Sequence, residues 1–541
     1  MTDLSAFKLP EIDPAATPEF SDGASCKAWL ENVPLANVST AQHQLLMQVE
    51  EFNRAAAAPK NRFEALEAVR EAVNFVQIEQ AKRFTNRALP MLETEAAVFE
   101  DTSELWEQMR LGYLRCLDAG ESSLRAQSAL ICQRALAYSG LRMFHYYRAY
   151  RQVPGRDWRG LHQVYARAEK LGIADKPVKD YLNRDVHDTS PRIAYLRAVL
   201  MGMCNPNELA PRQLSFVAYL LERWADKVEI SRKPARQEGG LPPLTLDLAG
   251  ECCAERLGAP RAQNADIRHL DERRLAKSLR NRVALLRKGE SPSRLALGED
   301  CVQPSCEQLL VFLYRQWCQA QAPRSAGRLR VVDVVQTCTD IAAIHYYISG
   351  RVFRGASEYK ELTARQREEI ETFGRLSTRG EEKFSVAQGF LLEHWQLEEE
   401  SAQGLRMVRR AGNPGKRMAH GQLVGVRPAD GKNIQLGQVR WLMASSAGDL
   451  VCGVKLLAGV PIAAALRAIG VNLAGEKYVQ AFALAAVRAL NAPPTLVMPM
   501  GWYKPKRVME VTIHKPRRVR LLELVERGID FERVTYEALP D

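Results

Sequence analysis

The chain reads as an α+β multidomain protein, with a large all-α N-terminal region, a mixed middle segment and an antiparallel β-barrel toward the C-terminus. Three observations predict this. Apolar residues recur at helical spacing almost without interruption from Cys26 to Val228. A charged stretch rich in Gly and Pro then breaks the pattern (SRKPARQEGGLPP, Ser231–Pro243). In the last third, short apolar runs alternate with Gly, Pro, Asn and Asp turns, which suits a small barrel.

With 541 residues the chain is too long for one core, so two to four domains are expected. Hydrophobic residues make up 46% and charged residues 26%, the balance of a globular protein. Residues 1–25 are rich in Pro and acidic groups and form a loose lead-in. The all-helical domain spans 26–230. Phe63, Leu66, Val69, Val73 and Val76 form one apolar stripe, as do Leu124, Ile131, Ala135 and Leu136. Breaks fall at Pro59, Pro90, Gly120, Pro154 and Pro177, and about eight helices are expected in all. The aromatic run Phe144–Tyr147 fits a core or a partner-binding face better than a cofactor box, since no catalytic group stands beside it.

The mixed middle domain covers 244–355. Leu244–Leu248 alternates like a strand, and Ile267–Leu286 reads as a basic helix. Glu307–Gln319 is amphipathic. Arg328–Val335 fits a strand or a buried helix segment. The basic helix presents Arg268, Arg273, Arg274, Lys277, Arg280, Arg282, Arg287 and Lys288. Such a stripe is either a solvated face or a phosphate contact.

The barrel is placed at 365–460, with strands Gly404–Val408, Gln422–Val426, Ile434–Trp441 and Leu450–Leu457. A helix-rich insert, Ile462–Leu490, is expected next. The strands Thr495–Pro499 and Val508–His514 and an amphipathic stretch, Arg520–Glu526, complete a C-terminal helix and strand extension over 461–541.

The formal net charge of +11 suits an anionic partner such as a nucleotide, a nucleic acid or an acidic lipid surface. The eleven cysteines include Cys301 and Cys306 in Cys-x4-Cys spacing, but no Cys-x2-Cys pair and no His at zinc-finger distance. Most of them read as small buried hydrophobes in a reducing compartment, with no metal site. No basic-then-apolar leader opens the sequence and no run is long enough to span a membrane, so a cytoplasmic protein is expected.

No phosphate loop, nucleophile elbow or His-Glu-x2-His motif occurs. Gly-Gly-Asp/Glu-Glu-Phe is absent. The literal Glu-Ala-Leu at Glu64–Leu66 and Glu537–Leu539 lacks flanking acidic metal ligands. The reading is therefore of a non-enzyme with no cofactor.

One pair of motifs carries chemistry. Arg375-Leu-Ser-Thr-Arg379 is followed, about twenty residues on, by Glu399-Glu-Ser401-Ala-Gln-Gly404. The strands GQLVGV, IQLGQVRWLM and GDLVCGVKLLAG follow. Together these resemble the PilZ family, whose signature is Arg-x3-Arg and then Asp/Asn-x-Ser-x2-Gly. The resemblance implies a PilZ-like antiparallel β-barrel that binds cyclic di-GMP. An Arg fork matches O6 and N7 of guanine or a phosphate oxygen. Ser401 offers a hydroxyl, and Gly404 lets the backbone turn closely. Glu399 departs from the family pattern, and its longer arm moves the carboxylate outward. Arg406, Arg409, Arg410, Lys416 and Arg417 form a nearby basic cluster that either compensates or is a surface patch. The ligand-binding set is then Arg375, Arg379, Glu399, Ser401, Gly404 and Arg406.

The stretches CKAWLENVPLANVSTAQHQLL, RDWRGLHQVYARAEKLG and MCNPNEL resemble the helical region of FimW-type proteins. That resemblance implies a cyclic-di-GMP effector linked to type IV pili and surface attachment, acting in the cytoplasm or at the cell pole. It also implies a protein partner in pilus or motility machinery. Two other readings stand beside it: a ligand-blind PilZ-fold scaffold that acts through its helices, and a nucleic-acid-binding protein using Arg268–Lys288.

Overall fold

The structure is a computed structural model. It describes residues 7, 9–118, 122–234, 242–256, 265–319, 329–353, 389–428, 431, 433–469 and 477–540. The chain divides into two compact units. The first comprises Met1–Arg87 and Met91–Arg324, and the second comprises Ala88–Pro90 and Ser325–Asp541.

In the first unit, helices α1 (Gly23–Leu30), α2 (Val38–Arg54), α3 (Pro59–Ala81), α4 (Glu93–Asp118), α5 (Ser128–Arg148), α6 (Gly155–Lys170), α7 (Pro191–Met203) and α8 (Pro211–Trp224) match the expected eight among the described residues. Pro opens α3, α7 and α8, where its missing N–H costs nothing. Asp22 and Ser190 cap α1 and α7 by accepting from Ser25 N and Ile193 N. The apolar stripes meet in one core that includes Leu66, Val73, Trp106, Leu136 and Trp224. Tyr146 and Tyr147 are buried in it, and His145 Nδ1 accepts from Trp106 Nε1 at 2.8 Å. The aromatic run is core, and burial holds the His145 ring neutral by pushing its pKa well down.

A short hairpin, β1 (Val178–Lys179) with β2 (Asp188–Thr189), carries buried Asp180. Asp180 receives Arg70 at 2.7 Å and Gln133 at 3.0 Å. The middle region supplies a four-stranded sheet in the order β3-β6-β4-β5, where β3 is Glu229–Ser231, β4 is Leu244–Asp247, β5 is Glu255–Arg256 and β6 is Ile267–Asp271. Helices α9 (Arg273–Arg287) and α10 (Ser305–Cys318) follow and pack on the helical core.

The basic helix is therefore shorter than expected, because Ile267–Asp271 pairs with β4 as strand β6. Arg268 is buried on that strand and its guanidinium holds Glu169 at 2.6 Å. Cys301 and Cys306 are joined by a disulfide, against the reading of the cysteines as isolated thiols. The chain between them brings their Cα atoms to 5.0 Å, within bonding range. Among the described residues no group of three or more His, Cys, Asp and Glu is placed to hold a metal. No described helix is long and apolar enough to cross a membrane.

The second unit contains two closed barrels. The first is built from β7 (Leu329–Thr339), β8 (Glu393–Ser401), β9 (Gly404–Arg409), β10 (Leu423–Arg427), β11 (Gln435–Ala444) and β12 (Leu450–Leu456), in the order β10-β11-β12-β9-β8-β7. Its strand β7 falls in the stretch assigned by sequence to the middle domain. It closes the barrel by pairing with β8 and β10, and helix α11 (Ile341–Ser349) follows it.

The second barrel corrects the expected helix and strand extension. β13 (Pro461–Ala468), β14 (Val479–Leu484), β15 (Thr495–Pro499), β16 (Val508–Thr512), β17 (Pro516–Arg527) and β18 (Phe531–Ala538) close in the order β13-β14-β15-β18-β17-β16. Ile462–Leu490, read as helix-rich, supplies β13 and β14. Arg520–Glu526 is the bulged half of β17. Helix α11 packs between the barrels. Ile344 joins Leu423 and Leu436 of the first to Phe482, Val497 and Phe531 of the second in one cluster.

Candidate ligand-binding site on the first barrel

The sequence motif Glu399–Gly404 becomes the β8–β9 hairpin. Ser401 faces Gly404 across a two-residue turn, Ala402–Gln403, and Ser401 Oγ donates to Gly404 O at 3.1 Å. Gly404 also runs close beside β12. A Cβ there would sit 2.8 Å from Val454 O, closer than any real side chain is found. The glycine is thus required by the approach of two backbones.

Behind this turn lies one rung of the sheet. Arg330 pairs with Glu399, Glu399 with Arg406, Arg406 with Gly453, and Gly453 with Trp441. Each register shift of this barrel falls on that rung: between Arg330 and Asp333, between Leu397 and Glu399, and between Val439 and Trp441. Bulges twist strands sharply and re-aim side chains, and they concentrate beside functional sites. The bulge in β8 turns both Glu398 and Glu399 toward Arg406. The guanidinium lies 3.0 Å from Glu398 Oε2 and 3.7 Å from Glu399 Oε1. Its other side faces the Trp441 ring, 6.0 Å from centroid to Cζ. The ring can lie there because Gly453 has no side chain, and a Cβ would strike Trp441 Nε1 at 1.9 Å.

The rung thus presents a half-exposed cation, two carboxylates, a hydroxyl at the turn and an aromatic ring. These groups can accept from a guanine edge, pair a phosphate and stack a base. Of the expected set, Glu399, Ser401, Gly404 and Arg406 come together on this hairpin. Arg375 and Arg379 lie outside the described residues. Arg330, Glu398 and Trp441 join the rung although no contiguous motif marks them. The Trp inside IQLGQVRWLM was the available signal.

The basic cluster beside the hairpin does not act as one patch. Arg409 is buried and bonds Glu393 at 2.7 Å and Lys416 O at 2.9 Å. Arg410 bonds Asp449 at 2.8 Å and Gln396 at 2.8 Å. The Ala411 N–H, with the largest effect, and the Arg410 guanidinium hold the Asp449 carboxyl below its ordinary range. Arg417 donates to Ala88 O. Only Arg406 of this group stands in the rung. The helical basic stripe is likewise largely self-paired. Arg273 bonds Asp271, Arg287 bonds Glu307, and Arg282 caps Leu295 O.

Two family descriptions match the chain. Residues 24–235 match "Cyclic-di-GMP receptor FimW, N-terminal domain", and residues 464–539 match "FimW C-terminal beta-barrel domain". The first covers the eight helices and the second covers the second barrel. A curated relative, the cyclic-di-GMP receptor FimW of Pseudomonas aeruginosa, is 23% identical over 92% of this chain and 87% of its own length.

Proposed function

The chain carries both domains of the FimW family, in order, and belongs to that family, and on this footing we propose that it is a receptor for cyclic di-GMP rather than an enzyme. The ligand site is the first barrel. The observation that supports this reading most is the rung itself, where Glu399, Ser401, Gly404 and Arg406 meet beside Trp441.

Cyclic di-GMP is compact, with two phosphates and two guanines. In this reading Arg375 and Arg379 supply cations to phosphate oxygens and to O6 and N7 of a guanine. The Ser401 hydroxyl meets a base or phosphate atom, the Glu399 carboxylate accepts from guanine N–H donors, and Trp441 stacks a guanine face. Arg406 adds a third cation once it leaves its carboxylates. The bound state is then relayed to a protein partner in pilus or attachment machinery, as a ligand-driven shift between populations.

Calorimetric titration of cyclic di-GMP into the purified chain tests the reading. Micromolar or tighter binding is expected, weakened by at least about tenfold in Arg375→Ala and in Arg379→Ala. Unchanged affinity in both variants removes this site. A specific observation favours the competing ligand-blind scaffold, namely that Arg406 is already neutralised by Glu398 and Glu399. Absence of any heat of binding decides for it.

A further inference from the structure

We propose that the second barrel is a peripheral docking surface for membranes bearing anionic phospholipid. The proposal is independent of the cyclic-di-GMP site. Between residues 502 and 520, Lys504, Lys506, Arg507, Lys515, Arg517, Arg518 and Arg520 stand against one acid, Glu510. Lys504, Lys506, Lys515, Arg517 and Arg518 are exposed.

The acids on this face are mostly spent. Glu510 receives Arg467 at 2.9 Å and the Tyr478 hydroxyl, and Glu537 receives Arg520 at 2.6 Å. Exposed Glu523 lies beyond Leu522. Among the described residues the surplus cations therefore face solvent as a field rather than as internal pairs.

The same face is apolar at one end. Loop 500–507 runs along β17, fixed by Lys506 N to Leu521 O at 3.0 Å and by the Tyr503 hydroxyl to Leu522 O at 2.9 Å. Met500 (53% exposed) opens this loop, which also carries Lys504 and Lys506, and Leu522 (40% exposed) stands on the β17 stretch that the loop follows. Arg518 and Arg520 alternate with buried Val519 and Leu521 along β17, so they share the outer face with Leu522. Basic groups beside aliphatic and aromatic ones suit a headgroup layer above hydrocarbon.

Nucleic acid is the competing anionic partner, and the aromatic groups argue against it. Arg507 already lies over the Trp502 ring, 5.7 Å from its centroid, and the Tyr503 hydroxyl is engaged by Leu522. Both rings also pack partly against the core of the second barrel, which leaves them less open to base stacking, whereas exposed Met500 and Leu522 gain from an acyl boundary.

The test is flotation of the full chain with phosphatidylcholine vesicles, alone or with about one-third phosphatidylglycerol, at low and high salt. Binding is expected to the anionic vesicles only and to weaken with salt. The pairs Lys504→Glu/Lys506→Glu and Arg517→Glu/Arg518→Glu each weaken it by about twentyfold or more. Met500→Ser/Leu522→Ser weakens it severalfold without changing the salt dependence. Circular dichroism matching the wild type certifies each fold. No binding to anionic vesicles at low salt overturns the proposal, as do charge-reversed pairs that bind like the wild type. So does a DNA duplex that strips the protein from vesicles.

Discussion

At the residue scale, Arg406 sets the sharpest question about the barrel. Its guanidinium is shared between Glu398 and Glu399 and lies over Trp441, so a phosphate that recruits it must first compete with two carboxylates. The pair is partly exposed, and such pairs hold about 0.2–1 kcal/mol each. Glu399→Asn removes one competitor, keeps an acceptor for a guanine N–H and restores the residue type of the PilZ pattern. It should tighten cyclic-di-GMP binding by about two- to fivefold, measured by the same titration. Weaker binding in this variant would mean that the ligand needs the negative charge of the carboxylate and not only an acceptor oxygen at this position. Glu399 was legible as a departure from pattern in the sequence. Its ion pair was not, because the bulge that turns Glu398 and Glu399 toward Arg406 depends on which residues face each other across β8 and β9.

At the element scale, helix α11 carries a titratable group into the cluster between the barrels. His345 is almost fully buried, with Phe482 at 5.9 Å and Phe353 at 5.2 Å. Burial lowers its pKa to about 4. The unfolded chain, with a histidine pKa near 6.5, therefore binds more protons than the fold between the two values. Stability from this group is complete above about pH 6.5 and is lost as pH falls toward 4, by as much as about 3 kcal/mol. Urea unfolding of the barrel unit at neutral and mildly acid pH should show that loss, and His345→Leu should flatten it. An unchanged pH slope in the variant would locate the proton uptake at another group of the barrel unit. The elements themselves were unevenly legible. The eight helices followed from period and proline breaks, and four strands of the first barrel from turn chemistry. Ile462–Leu490 failed because Ala463, Ala464, Ala465, Ala481 and Ala483 carry strong helix propensity. In the fold these small residues are buried in paired β13 and β14, so tertiary packing overrides local preference. Strand β7 was read only as an ambiguous apolar run, since its partners β8 and β10 lie more than fifty residues away.

At the scale of the whole molecule, the two units have separate cores. One gathers buried residues from Phe20 to Cys318, and the other includes a cluster within the second barrel and a cluster around α11, with no residue in common. A ligand that binds only the folded barrel adds RT ln(1 + [L]/Kd) to that unit, about 2.7 kcal/mol at a hundredfold excess over Kd. Hydrogen exchange in saturating cyclic di-GMP should therefore slow in β7, β8, β9, β11 and β12, the strands of the rung. The amides of α3–α5, held in the helical core, keep their rates unless the bound state is relayed to them. Protection confined to the rung strands would make the first barrel a self-contained sensor. Protection that also reaches the helical core would make both units parts of one response. Protection of the helices alone would move the ligand off the barrel, and with it the site built on Ser401, Gly404 and Arg406. The measurement thus separates where the ligand sits from what it changes, a distinction that affinity alone does not make.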